Sequence, residues 1–583
     1  MVNARFLWLL VPAMALGAGP TPIPTPPKAP APAPAKPAAA PAGKAPAAQQ
    51  QAAADPVLRA LRDELARAQQ LKMEKMDRPY HLSASVNDSQ TFNVSASFGA
   101  LVGRGGGRDA TTTVDVRVGD PSLDNTNFAD RDDFSFLMRL ERGGGADPAE
   151  PDYDALRRAL WMKFDDAYKS AVGTIAKKRA FLETRQVRDR PPDYGPAKTI
   201  SLLLPRETVT VSEERWTALV KRASAAFRGS AVAQVGEATF RSELLHQTLV
   251  TSDPAEHRFG EQHAIFNLRA SGQAADGMEV EARYQAIGRT EKDLPSDEEL
   301  LRTARGMAAR VDALAKAPVA ADDYVGPVLF VGRAAATFFL RTVGDPLSQP
   351  RSDLGDARSG RLVERLGKHV AVKQLTVRDD PTQKEWRGRP LLGHFPVDDD
   401  SVAPVPITLI DQGLLKTYFM SRIPTDRIRE SNGHARAGQG SVGNLFVETT
   451  DPTPRALMKK KLVELAQEED LEYGLMVEEF DDLGEGRGFG VGSSNVLFPT
   501  PLLVWRVYLD GREELERGTR FKPSTFRLLK EIVQLGDDPA LTNAQQRGQH
   551  VSVVAPSVLV RVMEAQKQRE EFERPPTLAR PSL

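Results

Sequence analysis

Two hydrophobic periods run through this chain, and they come in blocks. "DPVLRALRDELARAQQL" opens the first block: Leu58, Leu61 and Leu65 recur at three and four residues, which predicts a helix. Asp55 stands where an N-cap belongs, with Pro56 at the first helical position. "YHLSASVNDSQTFNVSASFGALV" then alternates on both sides of Asn87-Asp88 and reads as a hairpin turning there, and "TTTVDVRVGD" continues the strand pattern. From Asp152 to about Arg185 the period is helical, with Leu156, Leu160, Phe164, Tyr168, Val172 and Ile175 on one stripe. After a helix near Trp216 to Phe227 come three strand-like segments, "VAQVGEATFRSELLHQTLVTSD", "HAIFNLRASG" and "MEVEARYQAIG". The helix "SDEELLRTARGMAARVDALAKA" closes this half, with Ser296 and Glu299 spaced as a capping box.

The second half begins near Pro318 and is richer in strands. "GPVLFVGRAAATFFLRTVGDPLS" predicts an apolar strand turning into a short helix. "PLLGHFPVDDDSVAPVPITLIDQGLLKTYFMS" reads as a hairpin and a strand pair, turning at Asp398 to Asp400 and at Asp411 to Gly413. "WRVYLDGREELERG" reads as a hairpin turning at Asp510-Gly511. Helices are expected around Pro452 to Glu468 and Ser524 to Leu535. Strands and helices grouped in runs, without strict alternation, predict an α+β fold. A chain of 583 residues is too long for one core, so two domains are expected, 53–317 and 318–575.

The ends differ from this pattern. Arg5 followed by the apolar run Phe6 to Leu16, with small residues at Ala15, Gly17 and Ala18, predicts a secretory signal peptide over residues 1–18. Its eleven apolar residues are too few to span a bilayer, so the mature protein is expected to be periplasmic or secreted with no membrane span. Pro20 to Ala48 holds 11 prolines in 29 residues, and 19–52 is expected to be a solvated polyproline II spacer reaching about 90 Å. The tail 576–583 is expected to be disordered.

Charge and composition exclude several classes. Lys+Arg 77 against Asp+Glu 78 leaves net charge −1, without the basic face that nucleic acid demands. With no cysteine, thiol nucleophiles, disulfides and thiolate-bound zinc are excluded. None of the eight histidines falls in HExxH or HxH spacing. His257 and His263 flank "RFGEQ" and read as surface histidines of a hairpin, a metal pair being the alternative; His394 near Asp398 to Asp400 reads as part of a hydrated turn between strands, a mixed ligand set being the alternative. There is no nucleophile elbow or phosphate loop, and the glycine-rich stretch Gly484 to Ser494 reads as a flexible loop or a lid. "RESNGHARAG", Arg429 to Gly438, lacks apolar periodicity; Asn432, Gly433, His434 and Arg436 are candidate substrate- or partner-binding residues, with a solvated connector as the alternative.

"PYHLSASVNDSQTFNVSASFGALV", "YDALRRALWMKFDDAYKSAV", "GPVLFVGRAAATFF", "DDPTQKEWRGRPLLGHFPVDDD", "SNGHARAG" and "RVYLDGREELERG" together resemble the TldD/PmbA (modulator of DNA gyrase) family, in its secreted metallopeptidase-related branch. The resemblance runs from about Asp55 to Val560. It implies a two-domain α+β protein with an N-terminal α/β domain and a C-terminal sheet-rich domain. In that family one subunit carries zinc on an HExxxH helix and a downstream cysteine, while the PmbA (TldE) type lacks those ligands and helps enclose the substrate groove. An ungapped match puts Val331 and Gly332 at the His-Glu pair and Ala336 at the second histidine. The resemblance therefore implies a non-catalytic subunit without cofactor, forming a homo- or heterodimer with a TldD-like partner and handling unfolded peptides. A peptidase with an unrecognised site and an envelope scaffold are the alternatives. Arg333, Thr337 and Arg341, at i, i+4 and i+8, are expected to form a stripe that clamps a peptide carboxylate or a partner, unless it is only a salt-bridged helix face.

Overall fold

The computed structural model describes residues 55–128, 147, 150–348, 350–354, 361–481, 495–546 and 548–569, with 572, 573, 576 and 578. The signal peptide, the proline-rich spacer, the stretch Gly484 to Ser494 and most of the tail fall outside the described residues.

Helix α1 (Pro56–Ala68) starts as its sequence asks: the Asp55 carboxylate accepts the backbone N–H groups of Val57 and Leu58. Strands β1 (Pro79–Ser97) and β2 (Ala100–Asp120) form one long hairpin. It does not turn at Asn87-Asp88, which pair in register with Thr111 and Ala110. The reversal comes at Phe98 and Gly99, both at positive φ. Asn87-Asp88 reads as a turn by residue type, but the apolar alternation that stops at Val86 resumes at Phe92 in the same phase. The pairing of two long strands outweighs the local preference.

Short β3 (Leu123–Asp124) precedes helix α2 (Tyr153–Arg185), capped by Asp152, whose predicted stripe is entirely buried. Short β4 (Leu202–Leu203), helix α3 (Glu213–Ala225), strands β5 (Ala233–Thr251), β6 (Glu256–Gln273) and β7 (Glu279–Gly288), and helix α4 (Asp297–Lys316) complete this half. Ser296 and Glu299 form the expected capping box on α4. The strands make one sheet in the order β3-β2-β1-β5-β6-β4, with β7 also on β6.

The two faces of this sheet are unlike. The apolar even-numbered residues of β1 fall in two groups on either side of Asp88 and Gln90: Leu82, Ala84 and Val86 pack with α1 and α2, while Phe92, Val94 and Ala96 pack with α3 and α4. Trp216 of α3 stacks on Phe240 at 3.8 Å. The opposite face carries Ser83, Ser85, Asn87, Gln247, His257, Glu261 and His263, and it faces the second half.

That half begins with β8 (Asp323–Phe330) and helix α5 (Arg333–Phe339). Strands β9 (Leu375–Asp379), β10 (Ile407–Asp411), β11 (Leu414–Leu415), β12 (Asn444–Thr449), helix α6 (Arg455–Glu468), β13 (Tyr473–Phe480), β14 (Pro501–Tyr508), β15 (Glu513–Glu516), β16 (Ile532–Gly536), β17 (Ala540–Gln546), β18 (Gln549–Ala555) and β19 (Val558–Lys567) follow. They build a six-stranded sheet, β11-β10-β9-β12-β18-β17, and a larger one in which β16, β19, β8, β13, β14 and β15 are successive neighbours. Phe330 sits in the core between them, its ring 5.2–6.1 Å from those of Phe338, Phe480, Phe498 and Phe521.

The hairpins at Gln412-Gly413 and Asp510-Gly511 form as expected. Two readings change. The helix expected at Ser524 to Leu535 is only a 3-10 turn, Phe526–Lys530, followed by β16, because Ile532 and Leu535 find partners in β19. The segment around Asp398 to Asp400 turns, but between irregular stretches, not between strands.

Candidate functional site

The turn from β8 into α5 is where the family resemblance places a metal motif. β8 has alternating sides, so Phe330 enters the main core while Val331 packs with Met458, Leu462 and Met476 in a second apolar cluster. Ala336 returns to the main core and is 1% exposed. The positions of the two motif histidines therefore open into different apolar clusters. Gly332 between them has φ +54°, ψ −124°, a conformation that glycine alone adopts without strain. Valine, glycine and alanine offer no ligand atom to zinc, and this backbone would strain a glutamate at position 332. Among the described residues, no three His, Asp or Glu side chains are grouped to hold a metal ion.

Arg333, Thr337 and Arg341 do not form a stripe in the structure. Thr337 is buried and its hydroxyl donates to the Arg333 carbonyl at 3.2 Å. The helix widens into a π-turn at Leu340–Gly344, which rotates Arg341 off the i+8 direction. Arg341 pairs with Asp345 at 2.8 Å, one turn on. Arg333 reaches out of the second half and donates to the Gln285 carbonyl of β7 at 3.0 Å. It also opposes the burial that raises the pKa of Glu479, beyond the end of the neighbouring parallel pairing of β8 and β13. Both arginines have partners inside the chain.

The stretch Asn432 to Arg436 is built into the interior. The Asn432 side chain accepts from Met420 N–H and donates to the Tyr418 carbonyl. Gly433 has φ +73°, and a Cβ there would meet the Ala403 carbonyl oxygen at 2.4 Å. His434 is fully buried, with Nε2 3.2 Å from Asp379 Oδ1 and Nδ1 3.0 Å from the Asn432 carbonyl. Its neighbours are hydrogen-bond acceptors on both sides and the rings of Phe395 and Phe419. Such a site holds the loop and leaves the imidazole no access to a substrate. Arg436 alone of these residues reaches a cavity. Its guanidinium donates to Gln549 Oε1 and lies 4.6 Å from the Phe395 ring centre.

That cavity, about 710 Å³, lies between the polar sheet face of the first half and the loops of the second. Glu261, Gln247 and Asn87 line it from the sheet, and Asp399, Asp400 and Arg436 from the loops. The loop carboxylates are held by backbone donors. Asp398 accepts from the N–H groups of Asp400, Val402 and Ala435, and Asp399 from those of Ala437 and the Gln247 amide. Burial raises the pKa of Asp398 well above the carboxylate range, and the nearby Asp400 adds to it; burial likewise raises Asp400 and Glu261. Asn87 Oδ1 is buried without a hydrogen-bond partner. The cavity thus offers acceptors together with Arg117, Arg351 and Arg436, a lining suited to the backbone and charged ends of an extended chain.

The cavity walls are fixed to each other. Tyr194 is clasped by the guanidinium carbons of Arg117 and Arg422, 4.0 and 4.1 Å from its ring centre. Arg422 also pairs with Asp253 at 2.5 Å. His257 and His263, expected at the surface, are buried on one strand and face the second half. His257 Nδ1 is 3.4 Å from Ser401 Oγ, and His263 stacks on His550 of β18 at 3.5 Å. His394 bonds through Nδ1 to the Pro381 carbonyl at 2.7 Å and does not join the aspartates. Sequence reasoning missed the cavity because its walls come from segments up to some 460 residues apart, between Asn87 and Gln549. The available signal was the polar set of alternate positions in β1, β5 and β6, on a sheet whose other face buries two apolar clusters.

Residues 323–567 match the model of the PmbA/TldA metallopeptidase C-terminal domain. A metalloprotease of Archaeoglobus fulgidus is 31% identical over 94 residues, which make up 15% of this chain. The match spans 20% of that relative's length. Three solved structures share the fold over most of both chains. A protein of Bacteroides thetaiotaomicron described as a modulator of DNA gyrase has TM-score 0.58 and 12% identity over 87% of this chain and 98% of its own. A Thermotoga maritima protein of the same description has TM-score 0.54 and 15% identity, covering 83% and 96%. TldE from Thermococcus kodakarensis has TM-score 0.53 and 14% identity, covering 87% and 99%. At these identities the likeness is one of fold. Residues 323–567 thus match a PmbA/TldA metallopeptidase C-terminal domain, and the chain shares its overall architecture with these modulator-of-DNA-gyrase and TldE structures.

Proposed function

We propose that this chain is an exported, non-catalytic subunit of the TldE kind, which holds an unfolded peptide in the cavity between its halves and partners a zinc-bearing relative. One observation carries the reading: Val331 and Ala336 fill separate apolar clusters on either side of a positive-φ Gly332. The site that binds metal in the catalytic subunits is packing in this one. The N-terminal pattern of Arg5 and Phe6 to Leu16 supports export. The polar cavity supports a peptide: Glu261 and Asp399 suit cationic groups and Arg436 suits a carboxylate.

Binding of a fluorescently labelled unstructured peptide, followed by anisotropy, tests this role. Replacing both Glu261→Gln and Arg436→Gln removes one charge of each sign from opposite walls of the cavity and is expected to weaken binding about tenfold or more. Unchanged affinity in a folded double variant would place the peptide elsewhere and overturn the assignment of the cavity.

A further inference from the structure

Buried neutral imidazoles line the junction between the halves. His263 of β6 and His550 of β18 lie face to face at 3.5 Å, one from each half. His263 Nε2 and His550 Nδ1 are both buried without a hydrogen-bond partner. The surrounding charges are mainly positive: Arg289 follows β7, Arg436 comes from the loop after His434, and Arg241 lies on β5. The carboxylates facing this group are Glu261 on His263's own strand and Glu243 opposite His263 in register; Glu243 is engaged by Arg241. Two more histidines of the same sheet face sit at the junction. His257 meets Ser401 across it, with Asp399 as its nearby charge. His81 contacts Tyr194 and Asp253, with Arg117, Arg422 and Asp115 around it.

We infer that this histidine seam is an acid-sensitive latch, which holds the halves together at neutral pH and loosens them on acidification, opening the cavity. The physical reason is crowding: a proton on either stacked ring places a new cation against its neighbour and two arginines, with no free acceptor on the buried nitrogen. Parting the rings lets water solvate that charge. Burial, the leading cause at all four sites, lowers the pKa of His81, His257 and His550 to about 4 and that of His263 well below the ordinary value.

The sign follows by linkage. A hydrated imidazole ionises near pH 6.5, so parted halves bind more protons than joined ones between about pH 6.5 and 4. The closed form therefore holds its full advantage above about pH 6.5. Within the window, each histidine shifts the equilibrium toward opening by up to about tenfold per pH unit. This latch goes beyond the peptide-holding reading and does not depend on it.

Deuterium uptake by the mature chain at pH 7.5 and pH 5.0, corrected for the intrinsic exchange rate, tests the latch alongside small-angle scattering. Residues 391–401 and 434–440 are expected to exchange at least about tenfold faster at pH 5.0, with a larger radius of gyration and an unchanged far-UV spectrum. In a His263→Phe, His550→Phe variant, which keeps a stacked pair without a titrating group, the acceleration should fall several-fold. Equal acceleration in that variant would overturn the latch. Should the variant not fold, the wild-type titration decides: a midpoint between about pH 4 and 6.5 supports the inference, and flat uptake across that range overturns it.

Discussion

Replacing Asp193 by alanine is expected to lower the stability of the protein by about 3–5 kcal/mol, read as a fall in the urea midpoint at pH 7. Asp193 is fully buried and is the shared acceptor of three cations: Lys178 at 2.6 Å, Arg190 at 3.2 Å and Arg351 at 2.8 Å. It also accepts the Asp124 N–H at 3.0 Å. Lys178 is itself 0% exposed, an extreme position for an ammonium, and its other acceptors are the carbonyls of Asp124 and Thr126. Burial lowers its pKa and Asp193 opposes that shift. Without the carboxylate, Lys178 must stay charged in a buried place without its counter-ion or give up its proton, and either choice costs several kcal/mol. Arg351 belongs to the second half, so the same change also weakens the junction beside the cavity. A loss below about 1 kcal/mol would show that this buried cluster contributes no net stability.

Phe330→Ala is the second large effect, expected at about 3–5 kcal/mol, with Phe330→Leu costing less than about half of that. The Phe330 ring is fully buried among four other phenyl rings, and truncation leaves a cavity in the centre of the second half's core. The position is also one residue before Val331. If the β8–α5 turn is held by packing and not by an ion, the loss should be the same with and without a chelator in the denaturation series. A loss that appears only after chelation would mean that an ion is part of this core.

Much of the fold was legible because long elements carry strong periods. The α2 stripe and the α4 capping box needed only local rules, and both formed as read. Where residue type and pattern competed, pattern won: Asn87-Asp88 looks like a turn, yet Phe98-Gly99 supplies it. Ile532 and Leu535 fit a helix by spacing, but pairing with β19 decides between two short apolar readings, and that partner is remote in sequence. The site was less legible. Arg333 and Arg341 share a helical spacing, but a π-turn cannot be read from "FFLRTVG" and it sends them to separate partners. His434 sits in a polar stretch that reads as exposed, while its buried acceptor Asp379 lies 55 residues away. His257 and His263 read as surface residues because nothing local shows what covers a sheet face. Gly332, by contrast, left a mark: a glycine between a strand and a helix suggests a backbone that only glycine adopts.

The central claim is the proposal that this chain shares the fold of these proteins while the turn from β8 into α5 is held by packing and not by a metal ion. The direct measurement is metal content and hydrolysis on the same sample: purified chain, stripped with chelator, reloaded with zinc, desalted, and assayed alone on an unstructured peptide. The account predicts no stoichiometric zinc and no chelator-sensitive cleavage, with hydrolysis appearing only when a zinc-bearing relative is added. One zinc bound per chain, with cleavage by this chain alone that is lost on chelation and restored by zinc, would contradict it.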